Sequence, residues 1–372
     1  MHICDITMFY TAHGGGVRRY LRAKRRWFCD QGDRHTLVSP GWRSIRHGDH
    51  LTLRAFPLPF SDGYRFPLRR KPWIDALVEV RPALIEVGDP YRLAGAALAA
   101  ADHLGIPVTA FVHSDLPRFV ERRFGGWAGA RARAYLHKLY GGFDAVQAPS
   151  QGLAARLREQ GLDNVVCQPL GVDVTRFDPS WRDPGLRQRL GLADGTRLLV
   201  FAGRYAREKN IEVLLESMRQ LGPAYHLLLI GSAMPPIRMR NVSVYRKFCD
   251  GPHLARLLAS ADALVHAGDQ ETFGLIVLEG MASGLPVVGV RGGALPELIV
   301  PGTGMLGEPR DPASLAEAVR ELFAGDWQAM RRVARAHVES HYRWETVFAR
   351  QRGLYQAMLE GKRPAGDVDA HA

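Results

Sequence analysis

Two glutamates with seven residues between them, Glu271 and Glu279, are the strongest chemical signal in this sequence. Carboxylates accept hydrogen bonds from sugar hydroxyls, often two at once, so the pair suits recognition of a hexose or a ribose. Between them lie Phe273, Gly274 and Leu275, where a glycine permits close backbone approach and the start of a helix would direct free amides at the same ligand. The spacing alone is also typical of an ordinary helix surface.

A second group of residues suits phosphate. Residues 203–210 follow a predicted strand and supply Arg204 and Lys209 before a helix begins. Open parallel sheets bind their ligands at the carboxyl ends of strands. Arginine can hold two phosphate oxygens at once, and lysine adds a point charge. The alternative is a solvated basic turn in which Glu208 neutralises its neighbours.

Three glycines, Gly14, Gly15 and Gly16, follow the first predicted strand and open a helix. Amides at that helix start could bind an anion such as phosphate. The run is not the GxGxxG dinucleotide pattern, and a plain tight turn is an equal alternative. His113 follows the strand predicted over 108–112 and is a further candidate, although a lone histidine is more often structural.

The order of elements indicates how these residues are positioned. Short apolar segments rich in β-branched residues alternate with helical patterns, which predicts βαβ units around parallel sheets. The alternation breaks near residues 171–181, which are dense in Pro and Asp, and then restarts. The predicted strands lie at 2–6, 35–39, 51–56, 84–87, 108–112, 145–148, 165–170, 198–202, 226–230, 242–246, 263–266 and 286–290. The predicted helices include 91–104, 151–160, 211–221, 253–260, 275–283, 312–323, 327–342 and 344–359.

The block from Glu271 to Val288, with Phe-Gly inside and a small-Gly-x-Pro-Val-Val exit, resembles the signature of the family-4 retaining glycosyltransferases (glycosyl transferases group 1). Nearly the whole chain takes part, because other family motifs appear in family order. They are the glycines at 14–16, Gly171-Val172-Asp173, Arg204 with Lys209, Arg291-Gly292-Gly293, Pro296-Glu297-Leu298-Ile299 and Trp344.

The resemblance implies an α/β protein of the GT-B fold, with two Rossmann-like domains facing across a cleft. The acceptor-side domain would cover residues 1–171 and the nucleotide-sugar-binding domain residues 172–342. A C-terminal helix over 343–360 would cross back to the first domain, and a disordered tail would cover 361–372.

The resemblance also implies roles for single residues. The implied donor-binding residues are Gly15, Gly16, Arg204, Lys209, Phe273, Gly274, Leu275 and Glu279. The implied catalytic residues are His113, Arg204, Lys209 and Glu271. In this scheme Arg204 and Lys209 neutralise the departing diphosphate, Glu271 holds the transferred sugar and Glu279 holds the ribose. Asp89 and Asp115 are weaker candidates that could equally be caps.

The implied reaction moves a hexose from GDP-mannose or a UDP-hexose to a lipid or glycan acceptor with retention. If cations stabilise the leaving group, neither a metal nor another cofactor is needed. Two departures from the family pattern matter. Gly231-Ser232-Ala233 stands where the family often has Gly-Asp-Gly, which leaves the nucleotide base of the donor undecided. Arg18-Arg19 stands where many members have an acidic residue, which favours an anionic acceptor.

Charge points to an anionic partner for the first half of the chain. Residues 1–150 hold 22 Lys and Arg against 13 Asp and Glu, within a whole-chain net charge of +11. Basic clusters at 18–26, 65–71 and 118–138 predict peripheral binding to an anionic membrane, because each lies beside bulky aromatic residues. These are Trp27 and Phe28, Phe60 and Phe66, and Phe119 and Trp127, respectively. Solvated helix faces are an equal alternative. The start of the chain resembles a first strand rather than a signal peptide, which predicts a cytoplasmic protein.

Other classes fit the sequence less well. An epimerase of the same fold would lack the double-glutamate block, and a phosphorylase usually needs a longer chain. A nucleic-acid-binding protein is favoured only by charge, so we predict no nucleic-acid partner. The four scattered cysteines form no CxxC pair and are expected to be buried free thiols, and no His/Asp cluster has the spacing of metal ligands.

Overall fold

The structure is a computed structural model that describes residues 1–11, 15–58, 63–232, 234–246, 249 and 251–362. Gly14 and Ala233, which the sequence motifs include, and the tail beyond residue 362 lie outside the described residues. The chain divides into two units, Met1–Pro169 with Val347–Ala372 and Leu170–Thr346.

The first unit is built on a largely parallel sheet. Its strands are β1 (His2–Ile6), β2 (Arg34–Gly41), β3 (Ile45–His47), β4 (His50–Arg54), β5 (Phe56–Pro57), β6 (Arg65–Phe66), β7 (Leu84–Val87), β8 (Val108–Phe111), β9 (Ala145–Ala148) and β10 (Val165–Cys167). The sheet order is β10-β9-β8-β7-β1-β2-β4-β3, with β3 antiparallel to β4. β5 and β6 pair separately as an antiparallel ribbon.

Helices connect β1 to β2 and the successive strands from β6 to β10, whereas β2 reaches its parallel partner β4 through β3. They are α1 (Gly15–Asp30), α2 (Lys71–Val80), α3 (Arg92–Leu104), α4 (Leu116–Phe124), α5 (Gly126–Tyr140) and α6 (Gln151–Glu159). The central strands β7, β8 and β9 are buried along their whole length. Their side chains alternate between two faces, so burial of every residue means that both faces of the sheet are covered.

The second unit repeats the plan with a fully parallel sheet. Its strands are β11 (Arg197–Ala202), β12 (Tyr225–Ile230), β13 (Val242–Tyr245), β14 (Ala263–Val265), β15 (Val287–Val290) and β16 (Gly304–Gly307), in the order β13-β12-β11-β14-β15-β16. Its helices are α7 (Leu186–Arg189), α8 (Ile211–Leu221), α9 (Gly251–Ala259), α10 (Leu275–Ala282), α11 (Leu295–Leu298), α12 (Pro312–Ala324) and α13 (Trp327–His341). The last of the described helices is α14 (Trp344–Leu359).

The two segments at which the chain passes between the units lie side by side. The Val172 amide donates to the Tyr342 carbonyl at 2.7 Å, and Val172 forms an isolated parallel bridge with Arg343. Gly171 is needed here because a Cβ would lie 2.7 Å from the Trp344 ring. The domain boundaries predicted from the sequence lie after residues 171 and 342.

A buried ammonium group organises the first unit. Lys24 of α1 is fully buried, and its Nζ lies 2.7 Å from Asp5 Oδ1 and 2.7 Å from Glu86 Oε1. Asp5 on β1 and Glu86 on β7 are direct partners in the sheet register, so their carboxylates lie side by side. Burial raises the pKa of Asp5, but Lys24 and His35 outweigh it and hold that pKa below its usual range.

The remaining oxygens of Glu86 collect further hydrogen bonds. Tyr20 donates to Oε1 at 3.0 Å and Gln147 to Oε2 at 2.7 Å. Tyr355 of α14 also donates to Oε2, and Gln351 of α14 donates to the Tyr20 hydroxyl at 2.8 Å. The last helix therefore completes a polar network whose other members come from the first 150 residues, and buried polar groups are tolerated only when such partners are present.

Three predictions about which side chains are exposed and which are buried are wrong. Lys24 and Phe28, placed in or beside the first basic cluster, are fully buried. Arg65 of the second cluster is 8% exposed, because its guanidinium packs on the Trp42 ring and donates to the Ala55 carbonyl. Cys29 is exposed rather than buried. Phe60, another of the aromatic residues considered, lies outside the described residues.

We predict that Lys24→Met lowers the free energy of unfolding by about 3–5 kcal/mol, because it leaves two buried carboxylates without their cation. Chemical denaturation would measure the change. Arg26→Met is the matched control on the same helix, since Arg26 is 87% exposed, and it should leave stability nearly unchanged. Equal stability of the two variants would contradict the role given to Lys24.

Candidate functional site

The candidate site lies where the strand order of the second unit reverses. β11 is flanked by β12 on one side and by β14 on the other, so the loops that follow β11 and β14 leave the sheet next to each other. Open parallel sheets bind ligands at such a switch point. The predicted cations Arg204 and Lys209 follow β11, and the predicted Glu271 follows β14.

The structure brings two of the predicted residues into direct contact. The Lys209 ammonium forms an ion pair with Glu271 Oε1, and both side chains are less than a fifth exposed. His266 lies on the same oxygen, with its Nε2 3.2 Å from Oε1. The Gly268 amide donates to His266 Nδ1 at 3.1 Å, which fixes the orientation of the ring beside the carboxylate.

These contacts keep Glu271 ionised. Burial raises the pKa of this carboxyl, but the Lys209 ammonium and His266 more than offset it and hold the pKa well below its usual range. Both contacts are to Oε1. Oε2 is therefore the oxygen placed to accept hydrogen bonds from a ligand.

The turn that carries Lys209 is fixed to the opposite loop. Arg207–Lys209 forms a 3-10 turn, and Asn210 follows in the left-handed conformation with φ 49°. Its side-chain amide donates to the Ala267 carbonyl at 3.0 Å. This bond ties the segment after β11 to the segment after β14 and sets the separation of Lys209 from Glu271.

The loop that carries Glu271 is held from its other side by backbone contacts. The Ala294 amide donates to the Glu271 carbonyl at 2.9 Å. Gly293 has φ 59°, and a Cβ there would lie 2.6 Å from the same carbonyl oxygen. Asp269, at the start of the loop, is 5% exposed and accepts from Arg310 Nε at 2.8 Å.

The loop that carries Glu271 leads directly into α10, at the position where a helix start was predicted. Gly274 caps α10 with φ 102°, so the first free amides of the helix belong to the segment that includes Leu275. Phe273 is 4% exposed and anchors this segment. Glu279 is 3% exposed, which contradicts the alternative that it belongs to an ordinary helix surface.

Arg204 is the more exposed of the two predicted cations. Its side chain is 67% exposed, and its guanidinium is 3.8 Å from Glu208 Oε1. The neutralising neighbour considered from the sequence is therefore present. An exposed arginine on the same turn as Lys209 still supplies positive charge at the carboxyl edge of the sheet.

The predicted residues of the first unit lie at the carboxyl ends of its strands. Gly15 and Gly16 open α1. His113 follows β8 and stacks on Phe111 at a ring separation of 4.6 Å, with the Tyr20 ring 5.5 Å away. Burial, together with the charge of Lys24, lowers the pKa of His113 to about 3, so its imidazole is neutral at physiological pH.

The two weaker candidates have structural contacts. Asp115 caps α4 by accepting from the Arg118 amide at 3.2 Å. Asp89 is buried and accepts from the Met8 amide at 2.6 Å. Burial raises the pKa of Asp89 to about 6. The capping alternative therefore describes Asp115.

Sequence reasoning missed His266, Asn210 and the Asp269–Arg310 pair. His266 closes the strand predicted at 263–266, and Asn210 precedes a helix, so each had an ordinary explanation. Among the described residues, no cluster of three His, Cys, Asp or Glu side chains is arranged to hold a metal ion. None of the described helices has the length and apolarity to cross a bilayer.

Comparison with known proteins gives consistent matches. A model described as Glycosyltransferase Family 4 matches residues 14–176, and one described as Glycosyl transferases group 1 matches residues 196–325. A GDP-mannose-dependent alpha-(1-6)-phosphatidylinositol dimannoside mannosyltransferase of Mycobacterium tuberculosis is 29% identical over 99% of both chains. A GDP-mannose-dependent alpha-mannosyltransferase of Mycolicibacterium smegmatis is 32% identical over 76% of this chain and 75% of its own.

Solved structures support the fold. A sucrose-phosphate synthase from Thermosynechococcus elongatus superposes with a TM-score of 0.78 at 20% identity, covering 97% of this chain and 100% of that one. Anabaena HepE in complex with UDP and glucose superposes with a TM-score of 0.74 at 18% identity, covering 96% and 100%. The predicted α/β class and GT-B architecture are confirmed.

We predict that Gly293→Ala costs about 1–3 kcal/mol more stability than Gly302→Ala, because only the first pushes a Cβ into the backbone of Glu271. Gly302 is a matched control: its φ is 84°, and a Cβ there would meet only a Val333 methyl group at 3.4 Å. Scanning calorimetry would compare the two melting transitions. Similar losses in both variants would show that Gly293 does not hold the Glu271 loop.

Proposed function

The chain belongs to glycosyltransferase family 4, and from this membership we propose that it transfers mannose from GDP-mannose to a lipid-linked acceptor with retention of anomeric configuration. It is a sugar-nucleotide-dependent glycosyltransferase of the GT-B fold. The observation that carries the proposal is the Lys209–Glu271 pair at the switch point of the second sheet. The matches favour this function over an epimerase or a nucleic-acid-binding protein.

The donor is proposed from the sugar nucleotide that the descriptions of the relatives name. The proteins of M. tuberculosis and M. smegmatis matched above are both described as GDP-mannose-dependent. The altered turn at residues 231–233, which left the base undecided, is only partly described and does not argue against guanine. We therefore favour GDP-mannose over a UDP-hexose.

Electrostatic stabilisation of the leaving group is the proposed source of catalysis. Breaking the anomeric bond leaves negative charge on the departing diphosphate and positive charge on the sugar ring. Lys209, Arg204 and the free amides at the start of α10 would offset the first of these. With these cations in place, we propose that the enzyme needs neither a metal nor another cofactor. Gly15 and Gly16 are proposed to add donor amides from the first unit.

The two glutamates are proposed to bind different parts of the donor. Glu271 is ionised and offers Oε2, so it can accept hydrogen bonds from hydroxyls of the transferred sugar. His266 acts on Glu271 as a positioning residue, since it contacts only the oxygen that Lys209 also holds. Glu279 is proposed to accept from the ribose hydroxyls. His113 is proposed to contact sugar or acceptor as a neutral hydrogen-bonding group, because its pKa is about 3.

We propose that the acceptor-side domain binds the inner, cytoplasmic face of the membrane. Of the three predicted basic clusters, the one at 118–138 keeps its aromatic residues exposed: Phe119 at 67% and Trp127 at 71%. Arg123 lies 5.2 Å from the exposed Phe124 ring. Basic and aromatic side chains interleaved on helices are typical of an interfacial surface.

Assay of the purified protein with GDP-, UDP- and ADP-sugars tests the proposed activity. We expect GDP-mannose to be hydrolysed slowly without acceptor and faster with a mannosylated lipid. The product anomer, read by NMR, should match that of the donor. Preference for a UDP-sugar would overturn the donor assignment, and an inverted product would overturn retention.

We predict that Arg204→Ala and Lys209→Ala each lower kcat by roughly 10²–10³-fold, the usual effect of removing one electrostatic stabiliser. Both variants should remain folded by circular dichroism. Arg207→Ala, which removes an exposed arginine from the same turn, should keep nearly full turnover. Near wild-type rates in both test variants would contradict the proposed diphosphate site.

We predict that Glu279→Gln weakens binding of free GDP, because its proposed partner is the ribose. Glu271→Gln should spare GDP binding but depress transfer, because its proposed partner is the moving sugar. Calorimetry with GDP and turnover with GDP-mannose separate the two effects. Glu321→Gln, an exposed helical control in the same unit, should change neither. Equal loss of GDP affinity in both test variants would contradict the division of roles.

We predict salt-sensitive binding to vesicles that contain phosphatidylglycerol, and weaker binding by Arg122→Gln/Arg123→Gln. Each basic residue near an anionic surface contributes about 1 kcal/mol, an attraction that salt screens. Sedimentation at low and high salt would measure it. Absence of binding at low ionic strength would remove the membrane from the proposal.

A further inference from the structure

A cavity of about 340 Å³ opens on the first unit, away from the predicted basic clusters apart from Arg65. It lies where β2 and β4 end, beside the ribbon formed by β5 and β6. Arg43, Arg54 and Arg65 line it together with Trp42 and Phe56. Its volume is at the small end of ligand pockets, which is enough for a head group but not for a whole lipid.

Contacts of the side chain hold Arg65 in place, and contacts of the backbone hold Arg43 and Arg54. The Arg65 guanidinium carbon lies 3.5 Å from the centre of the Trp42 ring, and its Nη1 donates to the Ala55 carbonyl at 2.9 Å. Thr52 of β4 donates to the Arg43 carbonyl at 3.2 Å. The Arg54 amide donates to the Ser44 hydroxyl at 3.2 Å. The backbone on both sides of the cavity is therefore anchored to the sheet.

Among the described residues, no acidic side chain forms an ion pair with the arginines of the cavity. Within the part of the chain that the structure describes, none of Arg43, Arg54 and Arg65 has an acidic partner within ion-pair distance. Each guanidinium carries five N–H donors, and Arg65 uses one of them on the Ala55 carbonyl. Three positive groups around one small cavity are complementary to a phosphate, which arginine binds with two parallel hydrogen bonds.

Exposed apolar side chains line the cavity and lie beside it. Trp42, which lines it, is 75% exposed, and Phe56, which also lines it, is 55% exposed. Ile45 of the neighbouring β3 is 55% exposed. A free anion in solution would give such side chains no partner, and contiguous exposed apolar groups usually mark an interaction surface. Tryptophan beside basic residues is typical of the boundary between lipid and water.

We propose that this cavity binds the phosphate of an anionic phospholipid while Trp42, Ile45 and Phe56 enter the head-group layer of the same bilayer. The proposal rests on the proposed function for its lipid-linked acceptor, but the binding itself requires no transfer reaction. The carboxyl ends of β2 and β4 lie at the same edge of the sheet as the end of β8, which His113 follows. A lipid held there is on the side of the sheet where parallel strands present ligand-binding loops.

The test compares vesicles of phosphatidylcholine with and without phosphatidylglycerol at low salt. Arg43→Gln/Arg54→Gln should bind the anionic vesicles on the order of 30-fold more weakly than the wild type, from about 1 kcal/mol for each arginine. Trp42→Ala should also weaken binding. Arg34→Gln/Arg81→Gln is the matched control: it removes the same charge from exposed arginines that precede or begin strands, at the opposite edge of the sheet.

Several results would overturn the proposal. One is vesicle binding by the cavity variant equal to that of the wild type, and another is an equal loss in the control. A third would show that the cavity is a site for free anions. In that case inorganic phosphate raises the Tm of the wild type but not that of the cavity variant, and the two proteins bind vesicles equally well. Hydrolysis of GDP-mannose in solution should be unchanged in the cavity variant. If the wild type itself hydrolyses no sugar nucleotide, the proposed function fails while the vesicle result still decides this proposal.

Discussion

A charged group cannot be buried without partners, and this constraint fixes the first unit around Lys24. Its ammonium requires the two carboxylates of Asp5 and Glu86, which lie on adjacent strands, and therefore holds β1 and β7 in register. The oxygens of Glu86 then require hydroxyl and amide donors from β9, α1 and α14. Helices on one face of the sheet are thus placed by polar contacts as well as by apolar packing.

The second unit uses an ion pair of the same chemistry for a different purpose. Lys209 and Glu271 are each partly exposed, and both Lys209 and His266 contact the same one of the two Glu271 carboxylate oxygens. Lys24 is fully buried between two carboxylates, whereas the Lys209 pair is partly exposed and, in the proposed function, would exchange contacts with a ligand. Exposure and the number of protein partners, rather than residue type, separate a structural lysine from one suited to binding.

Much of the fold could be predicted from the sequence, and the reasons for the failures are physical. Helices α8 and α14 and strands β1 and β7 have their predicted bounds. α8 has a clear apolar period, and β1 and β7 are short segments of mostly buried residues. β16 was missed because its sequence, Gly-Met-Leu-Gly, has almost no strand propensity and is stabilised by pairing with β15. At the site, spacing identified Lys209 and Glu271. His266 acts through a tertiary contact with Glu271, and Lys24 differs from its surface neighbours only by what it packs against, so neither leaves a local signal.

Because α14 supplies part of the Glu86 network, the first unit cannot complete its polar contacts until α14 has been synthesised. Gln351 and Tyr355 are near the end of the chain, so the ribosome has exposed all of residues 1–169 long before their last hydrogen-bonding partners exist. Until then Glu86 Oε2 and the Tyr20 hydroxyl lack the partners that α14 supplies, whereas the second unit, residues 170–346, is one continuous segment of the chain. The unit made first is therefore finished last, and a nascent chain stalled before residue 351 would expose an incomplete core to chaperones and proteases.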